Sequence, residues 1–324
     1  MTTVSCHGYD DATCLQNASG TRVVLTGHGG GRVLEYAIGT VNAVYLGTAH
    51  CGGEGQEGWK WVPGQNDDGP PGGPVGGRLD IGPEMLNPDR PTLWLGSWAV
   101  QVTSPLSATM TSDSCPATGA QLLRHFVLAG EGSRLSVTQV IRNCSDSPKK
   151  YFHWSRSFTH GGGKVVIPLS PDSRYPSKFV QYCPGGLDMK PSDPRISEHH
   201  GPTPWLEITG AQHPKLGIDS HAGWFTYLMD NGLQWVKRYP SFPDRVYGEV
   251  AGFPLCIYYP EGSFVELEPI GPRETIAPGG ESSFTEEWYL LPHEQPIANG
   301  EPVDMLALTQ QLEEHAPPPS GAML

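Results

Sequence analysis

Short segments of the chain alternate between hydrophobic and polar residues. The clearest case is Val-Glu-Leu-Glu at 265–268. A period of two is typical of a β-strand with one buried and one wet face, so the pattern predicts an all-β protein. The segments that we expect to form strands are 22–25, 32–38, 43–46, 93–103, 121–129, 135–143, 151–158, 164–169, 223–229, 233–239, 253–259, 263–269 and 283–291.

The polar stretches between these segments predict long loops. Residues 52–77 and 183–204 are rich in Gly, Pro and polar side chains, a composition typical of irregular structure. Residues 302–315 have helical spacing and precede three prolines, which predicts one short terminal helix. We therefore expect an N-terminal extension at 1–20, one β domain at 21–292, and a tail with a short helix at 293–324.

Composition and charge limit the function classes. The 324 residues include 41 glycines and 32 prolines, and 37% of them are hydrophobic, which fits many short strands around one core. The formal net charge of −13 disfavours nucleic acids and anionic membranes as partners. The sequence has no run of about 18 apolar residues and does not open like a signal peptide, so we expect a cytoplasmic protein.

The cysteines and the known motifs suggest no cofactor chemistry. Seven scattered cysteines without a C-x-x-C pair indicate reduced thiols rather than a disulfide framework or a zinc knuckle. The phosphate loops, the H-E-x-x-H metal motif and the G-x-S-x-G elbow do not occur. We expect no cofactor and no metal.

Glu266 and Glu268 are the strongest candidates for chemistry. Being two apart on a strand, they project from one face. Burying two carboxylates together is costly unless they bind a cation or transfer a proton, because each raises the pKa of the other. The alternative is a solvent-facing pair on an edge strand.

The surrounding segment resembles a known superfamily. The run E-L-E-P-I-G-P at 266–272, the P-G-G-E turn at 278–281 and the Trp-containing strand at 284–290 are similar to the C-terminal part of the aldose 1-epimerases, and most similar to the DUF4380 family within that superfamily. The resemblance implies a galactose mutarotase-like β-supersandwich. It also implies that Glu268 takes the general-base position, with Glu266 as its neighbour.

Two further segments fit the same resemblance. The turn Asn-Cys-Ser-Asp-Ser-Pro at 143–148 is similar to the turn before the strand that carries an epimerase's catalytic His. Counting onward reaches Arg156, while His153 lies three residues earlier, so His153, Arg156 and His160 remain alternatives for the cleft. Gly-Gly-Arg at 76–78 resembles the segment that supplies an Arg to sugar hydroxyls.

Several of these residues have alternative interpretations. Arg78 could form a structural ion pair with Asp80 or Glu84 instead of binding substrate. Arg124 and His125 are adjacent on one strand, so only one of them faces the cleft, and we favour His125 as catalytic. Lys237 is a further candidate for substrate binding, and Trp59, Trp61 and Trp154 are candidate stacking platforms for sugar rings.

We expect a carbohydrate-active protein, and an epimerase or mutarotase-like enzyme first. One alternative is a lyase that eliminates at a uronic acid, which needs cations near the substrate carboxylate. The other is a carbohydrate-binding protein without activity. In each case the partner is a small or oligomeric carbohydrate, and the sequence leaves the oligomeric state open.

Overall fold

The protein is built from two layers of antiparallel strands. A computed structural model describes residues 2–7, 9–46, 76–262 and 264–318. Within these ranges the strands form one 13-stranded and one 10-stranded sheet. The all-β architecture with a short C-terminal helix that the sequence predicts is therefore confirmed.

The elements follow one another along the chain as a long series of short strands. The strands are β1 (Thr2–Cys6), β2 (Tyr9–Gln16), β3 (Thr21–Thr26), β4 (Arg32–Ile38), β5 (Val41–Asn42), β6 (Gly77–Gly82), β7 (Ala99–Ser104), β8 (Ser107–Thr111), β9 (Ala120–Leu128), β10 (Leu135–Asn143), β11 (Lys149–His160), β12 (Lys164–Pro168), β13 (Phe179–Cys183), β14 (Gly186–Asp188), β15 (Ile196–His199), β16 (Trp205–Ile208), β17 (Lys215–Ile218), β18 (Trp224–Leu228), β19 (Leu233–Arg238), β20 (Leu255–Tyr258), β21 (Phe264–Pro269), β22 (Glu274–Ile276) and β23 (Glu281–Pro292). The helical segments are α1 (His28–Gly31), a 3₁₀ turn (Glu84–Leu86), α2 (Pro91–Trp94) and α3 (Met305–His315).

The order of strands in space differs from their order in the chain. The first sheet runs β1-β2-β3-β4-β6-β11-β21-β20-β17-β13-β14, with β5 beside β4 and β22 beside β11. The second sheet runs β15-β16-β12-β18-β19-β23-β10-β9-β8-β7. Strands far apart in sequence, such as β6, β11 and β21, are therefore neighbours.

The main core lies between the two sheets. On β21, Val265 and Leu267 belong to this core, so Glu266 and Glu268 project from the opposite face of the first sheet. Helix α3 packs Leu308 and Leu312 in a second cluster with residues of the second sheet. The first sheet thus buries one face against the second sheet, and its other face carries the charged residues described below.

Some predicted boundaries differ from the observed ones. The segment set apart as an N-terminal extension contains β1 and β2, which extend the first sheet beyond β3. Residues 93 and 94 of the predicted strand 93–103 belong to the helix α2 (Pro91–Trp94), and the strand begins at Ala99. The predicted loop at 183–204 includes the short strands β14 and β15. Among the described residues, no helix is long and apolar enough to cross a membrane.

A buried ion pair lies between the sheets. The Lys237 ammonium donates to Glu286 at 3.0 Å and to Ser157 at 2.8 Å, and both charged side chains are fully buried. Gln139 and Trp288 donate to the same carboxylate at 2.7 and 2.8 Å. Burial lowers the pKa of Lys237, although Glu286 opposes that shift. This placement corrects the expectation that Lys237 binds substrate, because its ammonium is enclosed in the core.

We predict that Glu286→Gln destabilises the protein by about 3–5 kcal/mol, because the change leaves the Lys237 charge buried without its partner. Denaturant unfolding of the two proteins measures the difference. The matched control is Glu274→Gln, which breaks the more exposed pair with Arg245 and should cost about 1 kcal/mol or less. Equal effects of the two changes would contradict the assignment of a buried ion pair to the core.

Candidate active site on the charged face of the first sheet

Four of five adjacent strands bring charged side chains to one face of the first sheet. In the order β6, β11, β21, β20, β17, the central strand β21 carries the two carboxylates. Strand β11 lies on one side of it and β20 on the other. We call the following set the carboxylate site: Arg78, Trp154, Arg156, Lys215, Glu266 and Glu268.

Glu268 is fully buried and fully hydrogen-bonded. The Lys215 ammonium donates to both of its oxygens at 2.7 Å, and the Trp154 indole donates to Oε2 at 2.5 Å. Burial, followed by the nearby Glu266 charge, raises the pKa of Glu268, while Lys215 and Arg156 partly offset this. The general-base position that the resemblance implies for Glu268 leads us to expect a carboxylate open to substrate. The structure corrects this, because Lys215 and Trp154 cover the carboxylate.

Glu266 has a different partner and the opposite pKa shift. Arg156 donates to it through Nε at 2.5 Å and through Nη2 at 3.4 Å. Burial raises the pKa of Glu266, but the charge and hydrogen bonds of Arg156 outweigh burial and hold the pKa below its ordinary value. The two carboxylates therefore differ in character, and Glu268 is the stronger base.

The cations lie on the solvent side of the carboxylates. The Lys215 side chain is 22% exposed and that of Arg156 13%, against 0% for Glu268 and 5% for Glu266. Burial lowers the pKa of Lys215, but the Glu268 charge outweighs it and raises the pKa above its ordinary value. A ligand that approaches this face would meet the ammonium and the guanidinium first.

Lys215 is a site residue that sequence reasoning missed. It begins β17, a strand of only four residues (Lys-Leu-Gly-Ile). Its position beside Glu268 depends on the pairing of β17 with β20, which follows β17 by more than 30 residues. The signal in the sequence is weak, namely a lysine in alternation with the buried Leu216.

Arg78 is directly opposite Arg156 on the neighbouring strand. Its guanidinium lies 4.9 Å from the Trp94 ring. Within the described ranges its guanidinium donates no hydrogen bond, and its Nε is buried and unsatisfied. Burial, with the charges of Arg156 and Arg32, lowers the pKa of Arg78.

The alternative ion pairs of Arg78 are not formed in the described part of the chain. Asp80 instead accepts from Arg90 at 2.9 and 3.0 Å and from Trp94 at 2.8 Å. Glu84 accepts from Arg156 at 3.0 Å. Both acids are therefore already engaged, which leaves the Arg78 guanidinium available to an added acceptor.

His153 faces away from the carboxylate site. Its Nε2 lies 3.1 Å from the Ser282 carbonyl oxygen and its ring stacks on Phe284 at 5.9 Å. Burial lowers the pKa of His153 to about 4, so it is neutral at physiological pH. The expectation that His153 is a cleft residue is thus corrected: alternation along β11 turns Trp154 and Arg156, but not His153, toward the carboxylates.

His125 lies on the second sheet. Its ring nitrogen is 2.9 Å from Thr109 on the adjacent strand, and its neighbour Arg124 is the residue that points into the core between the sheets. This corrects the preference for His125 as a cleft residue. Arg124 donates through Nη1 to the carbonyls of Gly31, at 3.1 Å, and Gly77, at 2.8 Å, so it fixes the backbone directly before Arg78.

The remaining predicted residues lie elsewhere or outside the described ranges. His160, the third alternative on β11, is exposed at the strand end and packs edge-on against Tyr45 at 5.4 Å. Trp59 and Trp61 fall outside the described residues. A cavity of about 450 Å³ lies apart from the carboxylate site, and its lining includes Thr21, Tyr289 and His315.

The fold resembles those of several solved proteins. A protein of Escherichia coli K12 that is provisionally described as an aldose 1-epimerase superposes with a TM-score of 0.59 at 12% identity, over 87% of this chain and 100% of that one. A galactose mutarotase-like protein of Lactobacillus casei ATCC 334 gives 0.53 at 11% identity, over 86% and 100%. The Slr1438 protein of Synechocystis sp. PCC 6803 gives 0.51 at 13% identity, over 90% and 100%.

Sequence comparisons add no closer relative. No family model matches the chain, and no curated protein matches it. The resemblance to the DUF4380 family therefore rests on the motifs alone. At these identities, the structural likeness establishes that this chain has the galactose mutarotase-like fold.

Proposed function

We propose that this protein is a carbohydrate-active enzyme of the aldose-epimerase kind, with Glu268 as the general base. The observation that carries the proposal is the Glu268 carboxylate, which has a raised pKa and is hydrogen-bonded to an ammonium at 2.7 Å. A base with a pKa closer to neutrality transfers protons more effectively at physiological pH. The mutarotase-like fold supports the choice of a sugar as substrate.

Lys215 supplies the acid that the histidines do not. Because Lys215 covers the Glu268 carboxylate, a bound sugar must displace its ammonium. Glu268 then takes the proton from the anomeric hydroxyl, the bond between the anomeric carbon and the ring oxygen breaks, and the displaced Lys215 ammonium protonates the ring oxygen. Proton uptake by Glu268 also removes the negative charge that raises the pKa of Lys215. Burial then favours the neutral amine, so the first proton transfer promotes the second. Ring closure on the other face of the aldehyde returns both protons.

The other site residues bind and orient the sugar. Arg78 and Arg156 present guanidinium donors on the solvent side of the carboxylates, and a planar guanidinium suits paired oxygens. Trp154 holds Glu268 through its indole nitrogen and lies with its ring 4.9 Å from the Lys215 ammonium. Trp59 and Trp61 remain candidate stacking platforms.

The excess of cations favours one second candidate, β-elimination from a uronic acid. Arg78, Arg156 and Lys215 face the same side of the first sheet, and Arg78 has no carboxylate partner in the described part of the chain. A lyase needs such charges to neutralise the uronate carboxylate, which acidifies the C5 proton. In this reaction Glu268 removes the C5 proton, the C4–O bond breaks as the C4=C5 double bond forms, and Lys215 protonates the departing oxygen.

We predict that Glu268→Gln lowers turnover by about 10²- to 10⁴-fold, because the amide keeps the shape but cannot act as a base. Polarimetry of freshly dissolved hexoses measures epimerisation. Absorbance of a new C4=C5 double bond in uronate oligomers measures elimination. Glu261→Gln is the control, since Glu261 is an exposed partner of Arg195 and its loss should leave turnover unchanged.

Either signal, lost in Glu268→Gln while far-ultraviolet circular dichroism shows that the variant is folded, identifies the reaction. Wild-type protein that gives neither signal across a broad sugar panel, yet binds a sugar by calorimetry, would replace the enzyme proposal with a binding function.

We predict that Lys215→Met moves the acid limb of the pH–rate profile to higher pH. Glu268 must be ionised to act as base, so the rate falls as pH drops through its pKa. Since Lys215 lowers the pKa of Glu268, removing the ammonium raises that pKa further. If the variant is too slow to assay, carboxyl ¹³C NMR measures the same pKa directly. Lys190→Met, at an exposed lysine, is the control and should leave the limb in place. An unmoved limb in Lys215→Met would argue against Glu268 as the titrating base.

A further inference from the structure

A second cluster of reactive side chains lies at the other end of the first sheet. Cys6 ends β1, His7 follows it, and Glu35 lies in β4. The Cys6 thiol is 3.1 Å from Glu35 Oε1, and His7 Nε2 is 3.0 Å from the same oxygen. One donor atom from each residue lies within 4.8 Å of the other two.

We propose that Cys6, His7 and Glu35 form a binding site for a divalent transition-metal ion, with zinc as the first candidate. Thiolate, imidazole and carboxylate are the three donor types that zinc takes in proteins. With zinc–ligand bonds of about 2.0–2.3 Å, tetrahedral ligand atoms lie about 3.3–3.8 Å apart. The observed separations thus require only small shifts of the side chains.

The surroundings of Glu35 suit a ligand. The Arg22 guanidinium forms an ion pair with its second oxygen, with Nε 3.1 Å from Oε2, while Oε1 is directed at Cys6 and His7. A partner on the second oxygen helps to orient a metal-binding carboxylate. Water would complete a tetrahedral set as the fourth ligand.

The backbone at His7 is compatible with this assignment. His7 has φ +51°, in the left-handed region that His adopts more often than most residues other than Gly. This conformation turns the chain after β1 so that the imidazole reaches Glu35.

Metal binding exchanges a proton for the ion. Burial and the Glu35 carboxylate raise the pKa of the Cys6 thiol to about 12. Without metal the thiol therefore stays protonated and donates a hydrogen bond to Glu35. On binding, the sulfur–metal bond forms as the thiol proton passes to solvent, and His7 coordinates as neutral imidazole. No oxidation or reduction takes place. Because Glu35 comes 28 residues after His7, the sequence spacing matches no metal motif, which is why the sequence predicts no metal.

Titration of the full-length protein with Co²⁺ tests the site. We expect one equivalent to bind with a thiolate-to-cobalt charge-transfer band in the near ultraviolet, and Zn²⁺ to displace it. Cys6→Ser and His7→Gln should each abolish the band. Because Cys6 is buried and Cys6→Ser could disturb packing, the half-buried His7 gives the independent variant, and far-ultraviolet circular dichroism checks the fold of both. Cys144→Ser, at an exposed free cysteine, should keep the band.

A wild-type protein without the band, or a band that survives in both variants, would show that Cys6, His7 and Glu35 are only a hydrogen-bonded cluster. The result is independent of sugar turnover, because none of the three residues belongs to the carboxylate site.

Discussion

Two carboxylates buried side by side on one strand set the main constraint on this structure. Glu266 and Glu268 cannot both ionise in a dry environment without nearby cations. The fold meets the requirement from both sides of β21: Arg156 arrives on the adjacent strand β11, and Lys215 arrives on β17, beyond β20. The order of the strands in the sheet therefore supplies the cations that the two buried carboxylates require.

The same pairing makes the two acids unequal. Arg156 holds the pKa of Glu266 down, whereas burial and the charge of Glu266 raise the pKa of Glu268. A pair of neighbouring groups with opposite shifts is the arrangement that separates a structural charge from a proton acceptor. That asymmetry, more than the fold, supports the assignment of proton-transfer chemistry to Glu268.

A buried residue between the sheets fixes part of the backbone that carries the site. Arg124, itself fully buried, uses one nitrogen to hold the carbonyls of Gly31 and Gly77. Each of these glycines directly precedes an arginine, Arg32 and Arg78, whose charges act on each other. A residue in the core thereby fixes the backbone from which the cationic side of the site extends.

The alternation of residues along a strand predicts which side chains of that strand share a face. The pairing of strands that are distant in the sequence decides which of these side chains meet in the site. The period of two along β21 suffices to place both glutamates on one face. It cannot decide between His153 and Arg156, because facing depends on the register in which Phe158 pairs with Glu266. Lys215 was missed for a related reason, since its strand is too short to show a pattern. The choice of Arg124 for the core depends on two carbonyls from distant segments, Gly31 at the end of α1 and Gly77 in β6, which no local signal reveals.

The proposal that Glu268 acts on a sugar is tested most directly by a crystal structure of the Glu268→Gln variant soaked with a mixture of hexoses and uronic acids. If Glu268 is the general base and Lys215 the acid, a sugar lies on the charged face of the first sheet. One of its oxygen atoms is then within hydrogen-bonding distance of the side chain at position 268 and of Lys215. A sugar bound only in the cavity beside Tyr289 and His315, with the carboxylate site still closed by Lys215 and Trp154, would contradict the proposal.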